Sequence, residues 1–170
     1  IDASGGGVTV SGGEPLLQRE FVRVLFKALN FQGIHTCLDT NGYVPPTEYD
    51  EELEKFVRGT DLFLLDIKQM DEHRHQALTR VTNRHTLRFA RYLNEMNKAV
   101  WIRHVVVPGY SDDADDIRRL AEFVAPMRNV QKIELLPYHT LGAHKWSTYD
   151  AAYPLADIQP PSAEAMLALK

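Results

Sequence analysis

Residues 62–68, Leu-Phe-Leu-Leu-Asp-Ile-Lys, decide the fold: an apolar run broken only by Asp66 and closed by Lys68. A run this short and this apolar reads as a strand covered on both faces, as in parallel sheets lying between helices. Alternation puts Asp66 and Lys68 on one face at the end of that strand. They can simply pair with each other, or, with Asp39, hold a cation or a zwitterionic ligand, since oxygen ligands suit hard cations.

The same rhythm extends in both directions. Upstream, residues 7–10 read as a strand running into Ser11-Gly12-Gly13-Glu14-Pro15, then a helix over 16–30 with Leu17, Phe21, Val24, Leu25 and Leu29 at helical spacing. Residues 34–38 read as a second strand, stopped by Asp39-Thr40-Asn41-Gly42, and 49–58 as a helix with Leu53, Phe56 and Val57 on one side. Downstream, a long helix or helix pair, clearest over 86–97, precedes a strand over 100–107 closed by Pro108-Gly109. A helix over 112–125 and a fifth strand over 132–136 follow, the latter leading into Pro137-Tyr138-His139. Five such alternations predict a parallel α/β fold, whose right-handed crossovers bring every strand's C-terminal end to one edge. That edge binds ligands in open sheets and in α/β barrels alike, and the pattern fits either.

Composition narrows the function classes. The 170 residues suit one domain, with no linker or repeat. A net charge of -4 gives no electrostatic case for nucleic acid or an anionic membrane. No apolar run approaches the ~20 residues of a membrane helix. The single cysteine, Cys37, excludes an intramolecular disulfide framework and points to a reducing cytoplasm. Both ends read as cut. The chain enters a glycine run without a preceding element, and a helix capped by Ser162 after Pro160-Pro161 meets no stop signal before Lys170. The expectation is a single domain over 1–170, truncated at both ends.

The polar residues at the predicted edge each have a plain reading beside a functional one. Gly12 and Gly13 allow close backbone approach and Glu14 can accept from an ammonium, yet a turn with an acid at a helix N-terminus needs no ligand. Asn41-Gly42 is a turn signal, whereas Asp39 at the inner end of a strand needs a partner. Arg103, inside Trp101-Ile102-Arg103-His104-Val105-Val106-Val107, requires a carboxylate from the protein or from a ligand. His139 stands level with the other strand ends and is read as structural or ligand-binding in equal measure. The remaining histidines show no zinc spacing, and His73 and His75 read as a solvated helical stretch. The run Asp112-Asp113-Ala114-Asp115-Asp116 reads as a capped helix start, and Cys37 as a buried packing residue.

Taken together these segments carry a resemblance. Ser11-Gly12-Gly13-Glu14, residues 33–42, residues 65–70, Trp101-Ile102-Arg103 through residues 108–113, and residues 133–139 occur in the order found in the radical S-adenosylmethionine superfamily. They are most similar to its branch that activates glycyl-radical enzymes. The resemblance implies a partial parallel (β/α)6 barrel with about five units present. It implies that Gly12, Gly13 and Glu14 bind the amino group of S-adenosylmethionine, that Lys68, Arg103 and His139 contact its carboxylate, ribose or neighbouring groups, and that Asp39, Thr40 and Asp66 form a monovalent-cation site. It further implies a [4Fe-4S] cluster, a flavodoxin-type electron donor, and a glycyl-radical enzyme as partner, with pyruvate formate-lyase expected. The family's three-cysteine loop is absent here, and the expectation places it before Ile1. This chain would then bind the ligand without catalysing. Two other readings stand beside this one: a non-catalytic S-adenosylmethionine- or protein-binding remnant, and an unrelated α/β isomerase or aldolase using Asp66 and a Schiff-base Lys68.

Overall fold

A computed structural model describes residues 6–143, 146 and 152–169. His144 and Lys145, read above as loop residues without a catalytic role, lie outside the described residues, as do Ile1 to Ser4 and Lys170. Strands β1 (Gly7–Val10), β2 (His35–Thr40), β3 (Leu62–Asp66), β4 (Ala99–Val106) and β5 (Val130–Pro137) form one sheet in the order β1-β2-β3-β4-β5. Every pairing is parallel. Helices α1 (Arg19–Phe31), α2 (Glu51–Arg58), α3 (Glu72–Thr79), α4 (Arg84–Glu95) and α5 (Ala114–Val124) make the connections, and α6 (Ala163–Ala168) follows β5.

The strand order has a consequence for the faces. When consecutive strands are neighbours and all crossovers share one hand, every crossover helix falls on the same side of the sheet. The core obeys this: Val22 and Phe26 of α1, Leu53, Phe56 and Val57 of α2, Phe89, Ala90 and Leu93 of α4, and Leu120 and Val124 of α5 join Leu38, Phe63, Leu65, Val100 and Ile102 in one cluster. Among the described residues, none of the crossover helices covers the opposite face of the sheet. Burial alternates along β3 and β4 accordingly, Phe63 and Leu65 being buried where Leu62, Leu64 and Asp66 are half-buried. The expectation that β3 is covered on both faces is therefore corrected. The apolar residues of its second face line the inside of a partial barrel.

Several boundaries moved for identifiable reasons. Asp39 and Thr40 belong to β2 rather than to the turn after it. Asp50, Asp71, Asp113 and Ser162 cap their helices, their side chains accepting from the backbone N–H of Leu53, Arg74, Asp115 and Ala165. His75 is not solvated. It is buried in α3, with Nδ1 2.9 Å from the Val81 carbonyl and 3.0 Å from the Thr79 hydroxyl. Gly42 takes a φ of +64°, and a Cβ there would come within 2.4 Å of Leu65 Cδ1. Both left-handed backbone and close packing require glycine at this turn.

Tyr49 packs edge-on to Tyr92 at 5.1 Å, with the Arg88 guanidinium 4.5 Å over its ring, and its buried hydroxyl has no hydrogen-bond partner. Burial, only partly opposed by Arg88, pushes its phenol up to about 12. The unfolded chain ionises this phenol near the ordinary tyrosine value of 10.0 while the folded chain resists. This group therefore removes stability as pH rises from 10 towards 12 and costs nothing below that window. Tyr49→Phe is expected to leave neutral-pH stability unchanged or raise it by about 1 kcal/mol. It should also flatten the alkaline fall in urea midpoint, and a midpoint series from pH 7 to 11.5 checks both.

Candidate functional site

The site is built on the helix-free face, at the C-terminal ends of the three central strands. Asp39 of β2, Asp66 of β3 and Arg103 of β4 project there. In register Asp66 stands beside Arg103, and Asp39 beside Leu64. The Arg103 guanidinium spans both acids, Nε donating to Asp66 Oδ1 at 3.0 Å and Nη2 to Asp39 Oδ1. Lys68 Nζ donates to Asp66 Oδ2 at 2.6 Å, and the Ser11 hydroxyl to Asp39 Oδ2 at 3.0 Å. Burial works against the Arg103 charge, but Asp66 and Asp39 outweigh it and raise the guanidinium's pKa. These side chains remain roughly one-fifth to one-third exposed, so the network is open to a ligand.

Glu14 occupies a separate position. It precedes the 3-10 turn at Pro15–Gln18, and its Oε1 accepts from Leu16 N–H at 3.0 Å and from the Thr40 hydroxyl at 2.6 Å. Oε2 accepts from Asn41 N–H at 2.9 Å. Three of the carboxylate's roughly four lone-pair directions are thus used, and the remaining one is on Oε2. Beside it, Gly12 takes a φ of +139°, and a Cβ added at either Gly12 or Gly13 would meet no atom within 4 Å. The glycine turn consequently offers backbone to open space. Packing within the chain does not explain a glycine at position 13.

Of the residues expected at the site, Asp39, Asp66, Lys68 and Arg103 form one network, and Glu14 with Gly12 and Gly13 forms a second group on the neighbouring loop. Thr40 differs from expectation. Adjacent strand residues face opposite ways, so Thr40 turns from Asp39 towards the helix layer, where it is buried and bonded to Glu14. Asp39 and Asp66 converge through Arg103, and among the described residues no group of three or more His, Cys, Asp or Glu is placed to hold a metal ion. His139 is exposed, its Nδ1 accepting from Leu141 N–H at 3.4 Å, and no hydrogen bond or ion pair joins it to the network among the described residues. Lys68 is tied into the network through its ion pair with Asp66.

A buried polar layer under the site was only partly legible. Asp116 is buried and accepts from Met70 N–H and Asp71 N–H; Gln69 donates to the Tyr110 carbonyl, and Asn83 to the carbonyls of Gln69 and Met70. His104 is buried with Nδ1 2.8 Å from the Ile67 carbonyl and Nε2 3.0 Å from the Ser111 carbonyl. Together these fix the loop that carries Lys68. Two signals were available: Asp116 shares a four-residue spacing with Leu120 and Val124, and His104 alternates with Ile102 and Val106 on the buried face of β4. A cleft of about 560 Å³ between Val106, Pro108, Asp112 and residues 157–162 is lined by none of Glu14, Asp39, Asp66, Lys68 and Arg103. The charged network lies on the open sheet face, away from that cleft.

The one thiol does not suit a cluster. Cys37 is buried on the open face of β2, and burial, only partly opposed by a hydrogen bond with Thr9, pushes the thiol up and away from the thiolate a metal requires. A single cysteine also cannot supply the three thiolates such a cluster takes.

Comparison with known proteins agrees with the fold. The Radical SAM superfamily model matches residues 2–124. The chain is 54% identical over 170 residues to the pyruvate formate-lyase 1-activating enzyme of Escherichia coli (strain K12), covering 100% of this chain and 68% of that protein. It is also 54% identical to the pyruvate formate-lyase-activating enzyme of Staphylococcus aureus (strain USA300), covering 99% of this chain and 68% of that one. Among solved structures, a domain of pyruvate-formate lyase-activating enzyme from Bacteroides vulgatus ATCC 8482 superposes with a TM-score of 0.76 at 32% identity, covering 96% of this chain and 90% of that one. A radical SAM methyltransferase from Sphaerobacter thermophilus superposes with a TM-score of 0.70 over 96% of this chain and 46% of that one. At 16% identity it speaks for the fold alone.

Replacing Arg103 by Met would leave Asp39 and Asp66 facing one another without their shared cation. With partial solvent screening the expected loss is about 2 kcal/mol. Asp39→Asn in the same chain should recover part of it. Urea unfolding of the single and double variants checks this, and an unchanged midpoint in Arg103→Met would show that the network contributes nothing to stability.

Proposed function

Because this chain belongs to the radical S-adenosylmethionine superfamily and, within it, to the pyruvate formate-lyase activating enzymes, we propose that it is the S-adenosylmethionine-binding part of such an enzyme. The observation that supports this best is the glycine turn beside Glu14, where a carboxylate with one open acceptor direction adjoins backbone facing empty space. In this reading Glu14 accepts from the ligand's ammonium while Gly12 and Gly13 let it approach. Arg103, with donors beyond those given to Asp39 and Asp66, and Lys68 face the ligand's carboxylate or ribose. His139 contributes from the end of β5. A monovalent cation at Asp39 and Asp66 would have to take one of these carboxylates from Arg103.

Radical chemistry is proposed for the whole enzyme and not for these residues. There, a [4Fe-4S] cluster held by residues other than these would supply one electron, received from a flavodoxin-type donor, for reductive cleavage of S-adenosylmethionine to methionine and a 5′-deoxyadenosyl radical. That radical would take a hydrogen atom from a glycine of the partner, for which pyruvate formate-lyase is the proposed identity. No helix among the described residues is long and apolar enough to cross a membrane, and a cytoplasmic setting is proposed with the rest.

Calorimetry of the purified chain with S-adenosylhomocysteine tests the reading without iron. Saturable binding is expected, weakened about ten-fold or more in Glu14→Gln, the cost of exchanging a charged acceptor for a neutral one. Absence of binding, or binding indifferent to Glu14, would remove the reading.

A further inference from the structure

Resting on the reading of Glu14 as the acceptor of the ligand's ammonium, we infer that Thr40 is a positioning residue that sets which lone pair Glu14 offers. Thr40 is nearly inaccessible and lies on the helix-covered face of β2, with its neighbour Asp39 on the open face. Its hydroxyl makes two hydrogen bonds at once. It donates to Glu14 Oε1 at 2.6 Å and accepts from Gly42 N–H at 2.9 Å. Since the hydroxyl has only one proton, the Gly42 N–H fixes its direction, and the proton can go only to Glu14.

The result is a relay from a rigid turn to a flexible side chain. Gly42 is held by a backbone conformation that glycine alone adopts easily and by close approach to Leu65, while Thr86 donates to the neighbouring Asn41 carbonyl at 2.8 Å. That turn therefore has a fixed position relative to the core. Glu14 has three rotatable bonds and sits on another loop, which by itself would leave its carboxylate free to swing. With Oε1 taken by Thr40 and Leu16, and one side of Oε2 by Asn41, a single acceptor direction remains, on the Oε2 of the residue that follows Gly12 and Gly13. Thr40 touches no ligand in this arrangement. Its hydroxyl is committed to two protein partners, so the hydroxyl's role is to aim a carboxylate.

The role predicts a selective defect. Binding of S-adenosylhomocysteine is compared with that of its deamino analogue, which keeps the carboxylate and lacks only the ammonium. The wild-type chain should prefer the amino ligand by about ten-fold or more. Thr40→Val, close in shape but without the hydroxyl, should reduce that preference to about two-fold or less while leaving affinity for the deamino analogue unchanged. Thr40→Ser should restore the wild-type ratio. Should the valine variant not fold, Thr40→Ala is read in the same way. A wild-type chain that does not distinguish the two ligands would overturn the Glu14 reading and this role with it. A wild-type preference that survives intact in Thr40→Val or Thr40→Ala would overturn the positioning role alone. An equal loss of affinity for both ligands would likewise overturn it, marking Thr40 as structural.

Discussion

Two carboxylates on adjacent strands, held together by one guanidinium from the third, are the constraint around which the open face is organised. A sheet wound in one direction receives helices on one side only, and the other side must be finished by something other than a helix layer. Here Arg103 joins Asp39 and Asp66 across β2, β3 and β4. Without it, two like charges would crowd a half-buried surface, a costly arrangement. With it, a polar patch can sit among Leu64, Trp101 and Val105 and stay partly accessible. Stability and ligand access thus compete for the same side chains.

The neighbouring loops are fastened differently. Backbone N–H groups of Leu16 and Asn41 converge on Glu14, so an acid contributed by one βα loop closes the next. Behind the site, the loop bearing Lys68 is tied by Asp116, Gln69, Asn83 and His104, which direct their bonds mainly at backbone groups. Such buried polar layers rigidify when satisfied. They place short side chains at strand ends without drawing on the hydrophobic core for position.

The strand-helix alternation was legible because each strand's apolar run is short and each helix keeps a strict face. Strand order was not. Sequential and doubly wound sheets impose nearly the same pattern on a central strand, which is why β3 read as covered on both sides. The need for a carboxylate partner at Arg103 was legible from its apolar strand. Which acids answer it was not, since they lie 37 and 64 residues away in sequence. The orientation of Thr40 was lost because the second strand read as ending at Leu38, ahead of the Asn41-Gly42 turn, with Thr40 grouped beside Asp39. Polar residues at the end of a buried strand resemble a turn in composition, and only the continued ladder through Val10–Leu38 and Thr40–Leu65 separates the two. His75 escaped for a related reason: hydrogen bonds to Val81 and Thr79, not periodicity, bury it.

The ion network also sets the electrostatic character of the face. Asp39 and Asp66 are matched in number by Arg103 and Lys68, which leaves Glu14 as the one acid whose charge no cation of the network offsets. S-adenosylmethionine carries one net positive charge on its sulfonium, whereas S-adenosylhomocysteine and methionine carry none. If this face takes the cofactor as proposed, its single uncompensated negative charge would attract the intact form slightly and lose that attraction once the sulfonium is gone. With so small a local imbalance, this face adds little ionic-strength dependence to an encounter beyond that of the chain's net charge of -4. Selectivity between cofactor and spent product at the face itself would then come mainly from contact distance and shape.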